Sequence, residues 1–138
     1  VLAARSASFI QIFCKIGLIP DSGGTWNLPR AVGLARAKGL ALLGDKLPAE
    51  KAEEWGLIWK CVDDESLQEE AQKMALHLAT QPTTALGRIK KLLHQSGTNT
   101  LPEQLELERQ AMQELGQSHD YREGVAAFLE KRPPVFKG

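Results

Sequence analysis

The chain has 138 residues, 43% of them hydrophobic and 25% charged, which suffices for one ordinary globular domain and excludes a disordered or low-complexity chain. Basic and acidic residues each number 17, so nothing in the charge argues for bulk attraction to nucleic acid or to an anionic membrane.

Val1-Leu2-Ala3-Ala4-Arg5 opens within an apolar run, without methionine or cap, and reads as mid-strand; the expectation is a piece of a larger fold. Residues 1–20 are rich in β-branched and aromatic side chains, broken by Ser6 and Ser8. This predicts two short strands with a tight link, then an extended approach to Pro20. Strands this short need sheet partners. In Pro20-Asp21-Ser22-Gly23-Gly24-Thr25 proline presets φ and glycine permits positive φ, so a rigid turn is expected to deliver Asp21 to the start of a helix.

Helices dominate from there. The Ala/Leu-rich stretch from Gly33 to Leu43 is predicted to be helical, with Gly44 as its stop. Pro48 to Trp55 reads as a short helix ended by Gly56, and Leu57 to Val62 as the one later strand, stopped by Asp63-Asp64. Ser66 and Glu69 have capping-box spacing ahead of the stripe Leu67, Ala71, Met74, Ala75, Leu78. Pro82 opens a helix with Leu86, Ile89, Leu92 and Leu93 on one face. Thr100 and Glu103 form a second capping-box pair ahead of Leu101, Leu105, Met112 and Leu115. The last helix is expected from Asp120, as N-cap, to Lys131, with Pro133-Pro134 ending it. Two regions result, 1–64 with the strands and the turn, and 65–138 all helical, whose apolar stripes are packing faces or an oligomer interface.

Asp21 is the only acid in the first 44 residues. One reading makes it a helix N-cap. The other places it in an apolar pocket, where desolvation suits a group that accepts and returns a proton, or attacks an activated carbon. A mechanism needing two carboxylates from this segment does not fit. Cys14 and Cys61 form no CxxC pattern, and His77, His94 and His119 fall on separate helices. Neither a metal site nor a disulfide framework is therefore expected, and a reducing cytoplasm fits. Ser22 lacks the setting of a nucleophile elbow. Lys90-Lys91 and Glu130-Lys131-Arg132 read as solvated helix surface, and Trp26, Trp55 and Trp59 as core or interface. No run is long enough for a membrane span, and no signal peptide is expected.

Three segments, in order, carry a resemblance. Phe9-Ile10-Gln11 leads to Gly17-Leu18-Ile19-Pro20-Asp21-Ser22-Gly23-Gly24-Thr25 and Leu28-Pro29-Arg30. Leu47-Pro48-Ala49-Glu50-Lys51-Ala52 leads to Trp55-Gly56-Leu57. Asp120 and Glu123-Gly124 lead to Ala127-Phe128-Leu129-Glu130-Lys131-Arg132-Pro133-Pro134-Val135-Phe136. Together they resemble the C-terminal half of the crotonase (enoyl-CoA hydratase/isomerase) superfamily. The resemblance implies an α/β crotonase (ClpP/crotonase-like) fold, C-terminal portion: the end of a ββα spiral, then a helical trimerisation region. It implies an acyl-CoA substrate, coenzyme A being part of the substrate rather than a cofactor. The two backbone N–H groups that stabilise a thioester enolate would lie in the N-terminal half.

Hydratases of the family carry glutamate four residues before the glycine matching Gly17, where this chain has Phe13, and usually glycine where it has Asp21. The pairing of Phe13 with Asp21 resembles the family's isomerases, and among them the branch that rearranges ring epoxides of aromatic acyl-CoA thioesters. It implies Asp21 as acid/base, with Phe13, Ile19, Pro20 and Trp26 around the substrate. It also implies Phe128 and Lys131 of the last helix as coenzyme A contacts. Homotrimers or hexamers, in some cases with a homologous hydratase, are the expected assemblies; no nucleic acid or membrane partner is expected.

Overall fold

The computed structural model describes all 138 residues and divides into two units, Val1–Gln72 and Lys73–Gly138. In the first unit β1 (Leu2–Ala4) pairs in parallel with β4 (Lys60–Val62), and β2 (Ser8–Phe9) pairs antiparallel with β3 (Leu47–Pro48). The two predicted N-terminal strands therefore exist but do not pair with each other. The link between them turns tightly, with the Ala7 N–H donating to the Ala4 carbonyl at 2.9 Å, and sends each strand to a partner far downstream. The predicted strand over 57–62 contracts to Lys60–Val62. Its first residues are spent reversing the chain, the Leu57 N–H donating to the Ala52 carbonyl at 2.9 Å.

The extended approach to Pro20 is not found. Ile12–Ile16 coil into a 3-10 turn that ends on Gly17 in the left-handed region, and the Leu18 N–H donates back to the Phe13 carbonyl at 2.9 Å. With no neighbouring strand to pair with, the segment satisfies its backbone internally, against its β propensity. Then come α1 (Gly24–Val32), α2 (Leu34–Leu43), capped by Gly44 as expected, and α3 (Ala49–Glu54).

The core of this unit joins Leu28 and Val32 of α1, Ala37 and Leu40 of α2, and Leu47, Ala49, Ala52 and Ile58. Ala49 and Ala52 are fully buried, so α3 packs through methyl-sized side chains. Large apolar side chains elsewhere stay exposed, among them Ile16, Leu18, Ile19, Leu34, Leu42 and Leu43. Arg5 joins Glu50 and Asp63 on the surface, while the Ser6 N–H donates to the Asp64 carboxylate at 2.9 Å. The Ser6 side chain first, and then this N–H, hold the Asp64 carboxyl below its ordinary range.

A 3-10 turn, Asp64–Ser66, leads into α4 (Leu67–Ala79). The expected Ser66–Glu69 capping box does not form, because Ser66 lies inside that turn with its N–H on the Asp63 carbonyl. In the second unit α5 (Thr83–Ser96) and α6 (Leu101–Leu115) are joined by Arg88 on the Glu114 carboxylate and by Gln104, which donates to the Leu92 carbonyl at 3.2 Å. The Thr100–Glu103 box does form. The Glu103 carboxylate accepts from the Thr100 backbone N–H at 2.7 Å, which lowers its pKa.

The last helix, α7 (His119–Glu130), corrects the sequence reading: Ser118, not Asp120, is its N-cap, accepting from the Tyr121 N–H at 3.0 Å. Asp120 is instead turned to the chain end, where its carboxylate accepts from the Lys137 and Gly138 N–H groups at 2.8 and 2.9 Å. One turn on, Glu123 takes a bidentate pair of bonds from Arg132 at 2.6 and 3.0 Å and a third from the Val135 N–H at 2.8 Å. Arg132 is thus an anchor rather than free helix-end charge.

These bonds make the tail acid-sensitive. Arg132 first, then the Val135 N–H, hold the Glu123 carboxyl at about 2, against an ordinary 4.5. The Lys137 N–H is the main cause lowering Asp120 from 3.8. A depressed folded-state pKa stabilises above the unfolded value and is lost as pH falls through the folded one. The Val135 amide resonance of the intact protein should therefore stay constant above about pH 4.5 and move toward its free position as pH approaches 2; a midpoint above 4.5 would contradict this arrangement. No helix is long and apolar enough to cross a membrane.

Candidate active site

Asp21 lies between two preset pieces of backbone. Upstream is the 3-10 turn that carries Phe13, half-buried, and ends at Gly17. Downstream, Ser22 and Gly23 both take positive φ, 49° and 81°. A non-glycine residue in that region is uncommon and held by its surroundings. Here the Asp21 carbonyl accepts from the Gly24 N–H at 2.7 Å, closing the turn across Ser22 and Gly23. Gly24 keeps this turn uncrowded: a Cβ there would stand 3.1 Å from Pro20 Cβ, a tight contact.

The N-cap reading of Asp21 falls on this geometry. Gly23 is the N-cap of α1, and no side chain caps the helix. The Asp21 carboxylate is exposed and has no capping duty. The apolar enclosure expected around it is also not built by this chain, since Ile19 beside it is 77% exposed and Trp26 is 52% exposed. Pro20 is half-buried against Gly24. Asp21, Ile19 and Pro20 therefore share one rigid turn, Trp26 follows on the first turn of α1, and Phe13 precedes them on a separate turn.

Trp26 is held from its own helix. The Arg30 guanidinium lies 3.3 Å from the centroid of its ring and donates to the Trp26 carbonyl at 3.0 Å. Arg30, which the sequence offers only as part of the Leu28-Pro29-Arg30 pattern, is thus a partner of Trp26, and their i, i+4 spacing is the local signal of it.

Phe128 and Lys131 stand near the end of α7 in the second unit. Phe128 is 83% exposed and Lys131, at φ 55°, is the C-cap. Phe128 borders an apolar cavity of about 500 Å³ with Pro82, Tyr121, Val125, Leu129 and Phe136. Lys131 does not line it. No group of three or more His, Cys, Asp or Glu side chains is placed to hold a metal ion.

The whole chain, residues 1–138, matches the enoyl-CoA hydratase/isomerase family. The chain belongs to that family. Among curated relatives it is 61% identical, over all 138 residues, to 1,2-epoxyphenylacetyl-CoA isomerase of Escherichia coli K12, of which it covers 53%. It is 54% identical over the same length to a Rhodobacter capsulatus protein named "Probable enoyl-CoA hydratase", of which it covers 54%. Among solved structures it superposes on an enoyl-CoA hydratase from Bacillus anthracis with a TM-score of 0.93 at 35% identity, covering 99% of this chain and 53% of that one. The chain thus spans about half the length of the relatives it matches. Its fold is the crotonase fold in its C-terminal portion, the short strands and the Asp21 turn followed by the helices that such enoyl-CoA hydratase/isomerase chains carry.

Proposed function

We propose that this chain is the acid/base-bearing part of a CoA-thioester isomerase, with Asp21 as the group that moves the proton. The observation that carries the reading is a carboxylate with no structural task, fixed on a rigid turn, in a chain whose Phe13 stands where the family's hydratases resemble one another in carrying glutamate. Phenylalanine can neither activate nor protonate water. A single carboxylate suffices to take a proton from the carbon beside the thioester carbonyl and return it two carbons further along. The double bond moves and no atom is gained or lost.

The name of the Escherichia coli relative supports 1,2-epoxyphenylacetyl-CoA as a substrate. Its rearrangement to an oxepin-CoA, Δ3,Δ2-enoyl-CoA isomerisation and a cytoplasmic setting in phenylacetate catabolism are part of the same proposal. Phe13, Ile19, Pro20 and Trp26 border the acyl group in this reading, and Phe128 and Lys131 touch the coenzyme A portion, which arrives as part of the substrate. The exposed stripes Leu101, Leu105, Met112 on α6 and Tyr121, Val125, Leu129 on α7 support assembly as a homotrimer or hexamer, a homologous hydratase being a further partner. Asp21→Asn in the intact protein, assayed for isomerisation and for acyl-CoA binding, tests the reading.

A hydratase is the second reading, favoured by the Rhodobacter capsulatus relative. Water addition to crotonyl-CoA at a rate comparable with isomerisation would select it. Taken alone, the 138-residue chain leaves its candidate acid uncovered, and is proposed to act only as an association module. The purified chain is expected to show no enoyl-CoA isomerisation; measurable turnover would refute that.

A further inference from the structure

The C-terminal signature contains three carboxylates that the proposed chemistry does not use, Asp120, Glu123 and Glu130, and the first two hold the chain end. Among residues 133–138, Pro133 and Pro134 have no N–H, and the N–H groups of Val135, Lys137 and Gly138 all donate to two side chains, Glu123 and Asp120. Arg132, the first residue past the helix cap, is gripped by Glu123 as well and also meets Glu130. The Glu123 and Asp120 side chains are 16% and 10% exposed, so these bonds are partly shielded from water. The segment they hold packs back on α7, where Phe136 sits 3.6 Å from where a Cβ on Gly124 would lie and, with Phe128, lines the apolar cavity. The chain reverses into this segment at Lys131, a non-glycine residue in the left-handed region.

We propose that Asp120 and Glu123 are positioning residues: they latch residues 132–138 as a strap that keeps Lys131 in its left-handed conformation and Phe128 beside Phe136, and so preset both for acyl-CoA. This rests on Phe128 and Lys131 being coenzyme A contacts, as proposed above. A strap without strand or helix bonds opens as a unit once its two anchors weaken, at a lower cost than unfolding α7. The competent arrangement then becomes a fraction of the population, and the apparent affinity falls by that fraction. Other charged groups near the latch are His119, which is 3.1 Å from Asp120, and Lys137, whose backbone is one of the donors.

The test uses the intact protein with Glu123→Gln, Asp120→Asn and the double variant, beside Phe128→Ala and Lys131→Ala. Amide exchange at Val135, Lys137 and Gly138 is expected to speed up roughly tenfold in the latch variants, with α7 amides unchanged. The KM for acyl-CoA is expected to rise roughly threefold to tenfold with kcat held within about twofold. Unchanged exchange at those amides would overturn the latch. Faster exchange with an unchanged KM, while Phe128→Ala and Lys131→Ala raise KM, would overturn the positioning role alone. If Phe128→Ala and Lys131→Ala leave KM unmoved, the coenzyme A reading of those residues fails and the positioning role falls with it.

Discussion

Asp21→Asn in the intact protein is expected to lower kcat for double-bond isomerisation by roughly 10²–10⁴-fold, the usual worth of a positioned general acid/base, while acyl-CoA still binds. The amide keeps the volume and polarity of the carboxyl but cannot carry a proton between carbons. The turn should survive the change, because the Asp21 backbone carbonyl, not its side chain, closes it on the Gly24 N–H, and because no helix depends on that side chain for a cap. A variant with near wild-type turnover would remove Asp21 from the mechanism. A variant that no longer folds would show that the side chain holds the turn, and circular dichroism of the intact protein separates the two outcomes.

The largest stability effect is expected at Leu47. It is 3% exposed, sits opposite Phe9 in the β2–β3 pair, and shares its core with Leu28, Val32, Leu40 and Ile58 and with the alanines of α2 and α3. Leu47→Ala should cost about 2–5 kcal/mol in urea unfolding of the intact protein, the range for a buried leucine whose neighbours close only part of the space. Neighbours that are themselves methyl-sized, such as Ala49 and Ala52, have little side chain with which to fill the cavity. Replacing Leu42, which is 71% exposed, should by comparison change stability little. Equal losses at the two positions would mean that Leu42 is covered in the intact protein, an informative result for a chain spanning about half the length of its relatives.

Helix content was legible locally. Proline and glycine punctuation marks the starts and stops of α1 to α3, and the Thr100–Glu103 box is a short-range device that needs nothing beyond its own four residues. The Asp21 turn was legible for the same reason: Pro20, Gly23 and Gly24 restrict or free the backbone wherever they stand.

What failed locally failed for want of a partner. Residues 12–16 have strand-like composition but no strand beside them, so they coil. Ser66 and Glu69 have the right spacing, but the chain enters α4 through a 3-10 turn that takes Ser66 out of the cap position. Asp120 and Glu123 look like ordinary first-turn acids, and only the returning tail, whose N–H groups have no strand or helix partner and donate to them together with Arg132, reveals them as anchors.

By itself, then, the amino-acid sequence determined the order of the helices, the rigid turn at Asp21 and the family pattern, because propensities, caps and motif spacing act over a few residues. Which strand pairs with which, that Asp21 caps nothing, and that two carboxylates hold the chain end were decided by tertiary structure alone. Each depends on groups distant in sequence meeting at hydrogen-bond range, and no local pattern encodes that meeting.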